Sequence, residues 1–173
     1  MAMPQQNMTV RPAAQTDFAA VTAMRHLLAR QSHLERPQKF RPAPLDGLTE
    51  AQFTQWLAAP DVRRLVAVRS DDVPVGYASV WVGWTFASDW MFSNQDAFIM
   101  ELCVDPRHRR LGVGRALLDA IEAAATTEGA ESVVLQVNVS NQSARNFYHG
   151  LGYMAAGETC IKRLRTIVRV ENP

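Results

Sequence analysis

The chain has 173 residues and a formal net charge of +1, with 20% of its residues charged. That length suits one domain and buries a core without disulfide or metal staples. Near-balanced charge argues against nucleic acid or a membrane surface as partner, no apolar run approaches the roughly 18 residues of a membrane span, and the opening MAMPQQNMTV lacks the charged and apolar parts of a secretory signal.

Cys103 and Cys160 fit no metal-ligand spacing, so a cytoplasmic chain with reduced thiols and no bound metal is expected. From the N-terminus, MTVRPA predicts a short first strand that Pro12 ends. A helix pattern begins at Asp17, with Phe18, Val21, Met24, Leu27 and Leu28 at helical spacing, and fades near Ser32. ERPQKFRPAPLDG is a proline- and charge-rich loop. LTEAQFTQWLAAP predicts a second helix, with Thr49 as N-cap and Pro60 closing it. RRLVAVRS and VGYASVWVGWTF, on either side of a turn at DDVP, predict two antiparallel strands. ASDWMFSNQD is a loop carrying aromatic residues. AFIMELCV is apolar on both faces apart from Glu101, which predicts a central strand. A glycine turn and a helix to about Glu128 follow. SVVLQVNV predicts another buried strand, and NQSARNFYHGLG a helix with Gly150 and Gly152 at its C-terminal end. YMAAG and TCIKRLRTIVRV close the chain as two further strands. Alternating strands and helices in the second half predict an α/β sheet with helices on both faces.

The stretch ELCVDPRHRRLGVGRALLDAI joins strand to helix through Gly112 and Gly114. The first N–H groups of a helix have no intrahelical acceptor, and the helix dipole is positive there. Glycine lets such a backbone come close to a phosphate, and Arg107, Arg109, Arg110 and Arg115 add positive charge. A phosphate or pyrophosphate ligand is expected. A P-loop would have Lys after the second glycine, where Arg115 stands. A dinucleotide fingerprint would have a third glycine where Leu117 stands and an acid ending the next strand, and LQVNV has none. On this segment alone, an ordinary turn with solvated arginines stays open.

Taken with NQSARNFYHGLGY downstream, the segment VDPRHRRLGVGRALL resembles the GNAT superfamily of acetyl-CoA-dependent N-acetyltransferases. The first segment resembles the family's pyrophosphate motif, Arg/Gln-x-x-Gly-x-Gly/Ala, at Arg109, Gly112 and Gly114. The second resembles its following helix motif at Asn141, Ala144, Phe147, Tyr148, Gly152 and Tyr153. Arg110 departs from the pattern, because many members have glycine there. The resemblance covers nearly the whole chain from Thr9. It implies an α/β GNAT-like fold, a mixed and mostly antiparallel central sheet of about seven strands flanked by helices on both faces. It also implies one N-acetyltransferase domain over residues 1–173, with a core at 9–165 and extensions at 1–7 and 166–173.

By that resemblance acetyl-CoA is the co-substrate, its pyrophosphate on the turn formed by Arg109, Arg110, Leu111, Gly112, Val113, Gly114 and Arg115. Its pantetheine arm pairs with the backbone of Leu102, Cys103 and Val104 as an added strand, with Asn141 and Ala144 also in contact. A backbone N–H near Leu102 or Cys103, where neighbouring strands splay apart, faces the oxyanion. Glu101 is the candidate general base, acting directly or through water. Burying a carboxylate is costly unless it is paired or used, and burial favours its protonated form. The other reading of Glu101 is an ion pair with an arginine or a structural hydrogen bond. Tyr148 is the candidate general acid for the leaving thiolate, the other reading being packing beside Phe147. Cys103 has no base near it in sequence and reads as a core cysteine rather than a nucleophile. His108 and His149 read as exposed, and neither has a partner at metal-ligand spacing.

The acceptor, a small-molecule amine or a protein amino group, is left to the loops. Trp84, Phe86, Trp90 and Phe92 could form an aromatic wall, or fill the core beneath the loop, and Glu35, Asp46, Asp89 and Asp96 could attract a cation. The leading function is therefore N-acetyl transfer to a primary amine by direct attack in a ternary complex. A non-catalytic acyl-CoA sensor or interaction module is the alternative, with a purely structural α/β protein third. The last strand is a candidate for pairing across a homodimer.

Overall fold

The computed structural model describes residues 8–37, 39–40, 48–84, 95–157 and 159. By its contacts the chain divides into two compact units, Met1–Asn138 and Val139–Pro173.

In the first unit, strand β1 (Thr9–Pro12) leads through a 3₁₀ turn into helix α1 (Phe18–Glu35). Buried Asp17 ties this entry together, accepting from Arg11 at 2.8 and 3.0 Å and from the Ala14 N–H. Helix α1 outlasts its apolar pattern by a turn, because Arg36 N–H still reaches Ser32 O and Pro37 then bars continuation. Helix α2 (Glu50–Ala58) starts at Thr49, which forms a capping box with Gln52. Strands β2 (Val62–Val68), β3 (Pro74–Trp84) and β4 (Asp96–Val104) follow, then helix α3 (Val113–Thr127) and strand β5 (Ser132–Leu135). The second unit contains helix α4 (Gln142–His149). Among the described residues, no helix is long and apolar enough to cross a membrane.

Among the described residues the sheet has five strands in the order β1-β2-β3-β4-β5, antiparallel except for the β4–β5 pair. This is the expected mixed sheet, with five strands among the described residues where about seven are expected. Residues 153–157, YMAAG, form no strand, and TCIKRLRTIVRV lies outside the described residues after Thr159. Strand β5 stops at Leu135, well short of Val139, and is half-buried rather than deeply buried.

Helices cover both faces. On one, Val21 and Met24 of α1 and Phe53 of α2 pack with Val66, Val68, Tyr77 and Cys103. On the other, α3 buries Val113, Leu117, Leu118 and Ile121. A Cβ at Gly76 would lie 2.8 Å from Val113 Cγ1 and 3.1 Å from Leu117 Cδ1, so glycine there lets α3 lie close to the sheet.

One irregularity decides which way β4 points its side chains. Ser79 pairs with Glu101, yet Val80 pairs with Ile99, so Met100 is an extra residue, a β-bulge. A strand alternates faces with period two, and one extra residue reverses the phase. Phe98 therefore shares a face with Trp81, and beyond the bulge that face passes to Glu101 and Cys103, opposite Ser79 and Tyr77.

Candidate active site

The turn between β4 and α3 leaves its backbone donors open. Asp105 caps the 3₁₀ turn at Pro106–His108 by accepting from Arg107 N–H. The first helical bond of α3 runs from Ala116 N–H to Gly112 O. Among the described residues, none of the backbone N–H groups from Arg110 to Arg115 has an acceptor. Gly112 sits at φ 85° as the N-cap, and a Cβ built there meets nothing within 4 Å. Arg110 also adopts a left-handed conformation, φ 63°. A run of open donors is the arrangement that an anion-binding turn presents.

The arginines are not equivalent. Arg107 forks onto Asp105, holding that carboxyl down at about 2, so its charge is largely committed. Arg115 faces Asp119 at 3.9 Å with both side chains exposed. Arg109 reaches back to the Val104 carbonyl at 3.3 Å. Arg110 has no ion-pair partner among the described residues. His108 is not exposed as expected. It is partly buried, its Nδ1 3.8 Å from Asp105 Oδ2 and without a hydrogen bond. His149 is exposed.

Strand β4 presents an edge just before this turn. Its parallel pairing with β5 ends at Ile99 opposite Leu135, while β4 continues to Val104. Asp105 N–H donates to Val75 O on β3. Backbone groups alternate along a strand, so Cys103 also turns its N–H toward β3, and Leu102 and Val104 turn theirs to the other edge. Of the residues expected near the oxyanion, Leu102 is the one with its N–H on the open side. Cys103 is buried, and burial pushes its thiol up to about 11, a poor nucleophile at neutral pH.

Glu101 is not alone in its surroundings. Its Oε1 accepts from Arg25 Nη2 at 3.2 Å and its Oε2 from the Tyr77 hydroxyl at 3.3 Å. Both members of the ion pair keep 24% of their side-chain exposure. The Tyr77 ring is fully buried, and burial together with the Glu101 charge holds its phenol protonated, its pKa raised. Arg64 of β2 and Ser79 of β3 are direct cross-strand neighbours, as are Ser79 and Glu101. Arg64 is 8% exposed and lies 4.8 Å from the Trp56 ring centroid, and burial lowers its pKa while Glu101 opposes that effect.

Arg25, Tyr77, Arg64 and Ser79 are not among the residues the motifs single out. Two had a signal. Arg25 follows Val21 by four residues and precedes Leu28 by three, which puts an arginine on the apolar stripe of α1. Arg64 alternates with inward-facing Val66 and Val68. The acids expected to draw in a cation are engaged elsewhere: Glu35 with Gln31 and Asn138, Asp96 with Ser132. Trp84 packs against Phe98 at 5.4 Å. Phe86, Trp90, Phe92, Asp46 and Asp89 lie outside the described residues.

In the second unit, Asn141 Oδ1 accepts from Ala144 N–H at 3.1 Å and so caps α4. At the other end, Tyr153 N–H bonds Tyr148 O and Gly152 N–H bonds His149 O, with Gly152 at φ 92°. That is a Schellman motif, and its usual apolar contact is the Tyr148–Tyr153 ring pair at 5.7 Å. Tyr148 also packs beside Phe147 at 5.2 Å, and partial burial raises the pKa of its phenol. Its hydroxyl has no acceptor among the described residues.

The family model for the GNAT acetyltransferase family matches residues 22–153, which span the turn and α4. The chain belongs to the GNAT acetyltransferase family. It is 31% identical over 111 residues to an uncharacterized N-acetyltransferase of Mycobacterium tuberculosis, covering 64% of this chain and 65% of that one. It is 35% identical over 104 residues to an N-alpha-acetyltransferase of Sulfurisphaera tokodaii, covering 58% and 62%. The chain thus spans just under two-thirds of the length of these curated relatives. Among solved structures, a mutant form of the BH1408 protein of Bacillus halodurans superposes with a TM-score of 0.82 at 24% identity, covering 90% of this chain and 99% of that one, a likeness of fold.

Proposed function

We propose that this member of the GNAT family is an acetyl-CoA-dependent N-acetyltransferase that acts on a primary amine by direct attack in a ternary complex. The observation that carries the reading is the run of open N–H groups from Arg110 to Arg115, directly after a strand edge that β5 leaves unpaired. A pyrophosphate fits such a run of donors, and an amide-bearing arm fits the free edge at Leu102 and Val104 as an added strand. The family match runs through both compact units, which supports a single domain with its core at 9–165.

Acetyl-CoA supplies an activated acyl group as a thioester. Overall, an ammonium and a thioester give an amide, a thiol and one proton. Glu101 takes a proton from the ammonium, directly or through water, while the bonds from Arg25 and Tyr77 hold its carboxylate in place. The Leu102 N–H faces the charge that develops on the acyl oxygen. Tyr148 has the role of acid for the leaving thiolate, and its raised pKa keeps the proton on the phenol. Gly112, Gly114 and Val113 give the phosphates their backbone donors, and Arg109, Arg110 and Arg115 add charge. Asn141 offers the arm its amide nitrogen, because its oxygen already caps α4 through Ala144. Cys103 packs.

Two measurements test the reading. Coenzyme A at about a hundred times its dissociation constant stabilises a protein by roughly 2.7 kcal/mol, and it should raise the melting temperature far more than NAD or ATP. Acetyl-CoA with a panel of amines should then release free thiol and form N-acetyl product by mass. Binding without thiol release would make the chain an acyl-CoA-binding module, and equal stabilisation by all three nucleotides would remove the cofactor assignment.

A further inference from the structure

The surroundings of Glu101 are cationic. Arg64, Ser79 and Glu101 lie side by side across β2, β3 and β4, and Arg25 of α1 bonds Glu101. Arg64 feels the charges of both Glu101 and Arg25. Among the described residues on that face, one carboxylate therefore faces two guanidinium groups, with Tyr77 and Cys103, both held neutral by burial, beside them. A polyamine acceptor would bring more positive charge to a place that already has an excess.

The same row contains unmet hydrogen-bonding capacity. Arg64 Nε and Ser79 Oγ are buried with no hydrogen-bond partner among the described residues, and both side chains are more than nine-tenths buried. Arg25 gives Glu101 one hydrogen of Nη2; the second Nη2 hydrogen and those of Nε and Nη1 have no acceptor among the described residues, which leaves one two-donor edge of the guanidinium open. Its side chain is partly exposed where Arg64 is not, so Arg25 is the group an incoming molecule meets. An arginine with an open fork recognises a planar oxyanion, and Arg64 behind it adds charge without needing contact.

The geometry points to an acceptor that brings its own anion: a primary amine with a carboxylate on the neighbouring carbon, as in an α-amino acid. This rests on the acetyltransferase reading of the same site. The amine addresses Glu101, and the carboxylate takes the open donors of Arg25. The bound anion balances the second guanidinium. The product is an N-acetyl amino acid, with free thiol and one proton released.

The experiment uses the full chain, acetyl-CoA and matched acceptors: amino acids, their carboxamides, and the amines left by removing the carboxylate. Thiol release is compared at the pH-independent plateau of kcat/KM, so that differences in amine protonation drop out. The amino acids should lead both neutral sets by about tenfold or more, the scale of about 1.4 kcal/mol, with the difference mainly in KM. Arg25→Gln should remove most of that lead, and Arg25→Lys should keep part of it. The ratio between acceptors cancels any loss common to both, so a general disturbance of Glu101 does not imitate the result. Equal or better turnover of the carboxamides, of peptide N-termini or of polyamines overturns the inference and leaves the acetyltransferase reading standing. An unchanged ratio in both Arg25 variants also overturns it. No thiol release with any amine overturns both.

Discussion

The turn before α3 and the segment around α4 look alike in sequence, each a short motif with fixed glycines, but they are built to opposite ends. The turn keeps the N–H groups from Arg110 to Arg115 without acceptors among the described residues and holds both Gly112 and Arg110 at positive φ. The α4 segment satisfies itself. Asn141 caps its start, Gly152 closes its end, and the Tyr153 ring covers Tyr148. A motif residue thus has two different reasons to be where it is: it opens a backbone to a ligand, or it ends a helix. Of the motif residues in the α4 segment, Tyr148 keeps a hydroxyl and Asn141 an amide nitrogen with no partner among the described residues. Changes in the turn should therefore reach binding first, and changes at the ends of α4 stability first. Tyr148 alone in α4 should reach the rate.

The largest effect expected is at Tyr148. Tyr148→Phe keeps both ring contacts and removes the one proton, so kcat should fall by about 10²–10⁴-fold with the melting temperature nearly unchanged. The raised pKa of this phenol extends its protonated form to higher pH, so the native enzyme should keep its activity through the range in which an ordinary tyrosine still has its proton, with loss only above it. Matching kinetics in wild type and Tyr148→Phe would leave α4 purely structural and erase the exception.

Next comes Gly112→Val. Its φ of 85° is forbidden to a β-branched residue, and the open space at its Cβ is where a phosphate would approach. The fold should lose about 1–2 kcal/mol, and coenzyme A affinity about tenfold or more, the scale of another 1.4 kcal/mol. Isothermal titration of the folded fraction separates the two. Affinity that survives in the folded variant would place the phosphates elsewhere and break the contrast from the other side.

What could be read in advance follows the range of the forces involved. Thr49, Pro60 and Gly152 act within one helical turn of themselves, so both ends of α2 and the end of α4 were legible, while α1 ran a turn past its apolar pattern. Strand periods were legible too, and the resemblance to a known family, not the periods, supplied the mixed sheet. The Met100 bulge was not, because an extra residue shows itself only against the partner strand. With the bulge hidden, so were the face of Glu101 and its partners Arg25 and Tyr77, which are distant in sequence. Strand β5 ended early for a related reason: apolar residues recur at Val137 and Val139, but pairing with β4 stops at Leu135. YMAAG is short and rich in small residues, and its pattern alone does not separate a strand from irregular chain after a Schellman motif.

A smaller effect is expected at the start of α4. Asn141→Ala removes the acceptor of the Ala144 N–H and should cost about 1 kcal/mol of stability, read as a lower urea midpoint at unchanged slope. Asn141→Asp restores the cap but not the amide N–H group. If Asn141 serves only α4, Asp should recover both stability and coenzyme A affinity. If its nitrogen also holds the arm, stability should return while affinity stays low. The pair of variants thus divides one residue between the two roles.

The smallest change is expected at Arg110, where the two demands on the turn oppose each other. A left-handed conformation costs an L-residue about 1–2 kcal/mol, and Arg110 sits there at φ 63°. Glycine adopts it without strain but loses about 0.5–1 kcal/mol more chain entropy on folding. Arg110→Gly should therefore leave the melting temperature unchanged or slightly raised. The backbone N–H remains in place, so the phosphates keep that donor and lose only a mobile guanidinium. Coenzyme A affinity should drop a few-fold at low salt, and the difference from wild type should shrink as salt screens the charge. Stability and affinity would then move in opposite directions at a single position. That result would mean that the turn accepts backbone strain in exchange for charge, which no residue of α4 does. A clear fall in melting temperature would instead make the Arg110 side chain a brace of the turn, and the turn would then resemble α4 in satisfying itself.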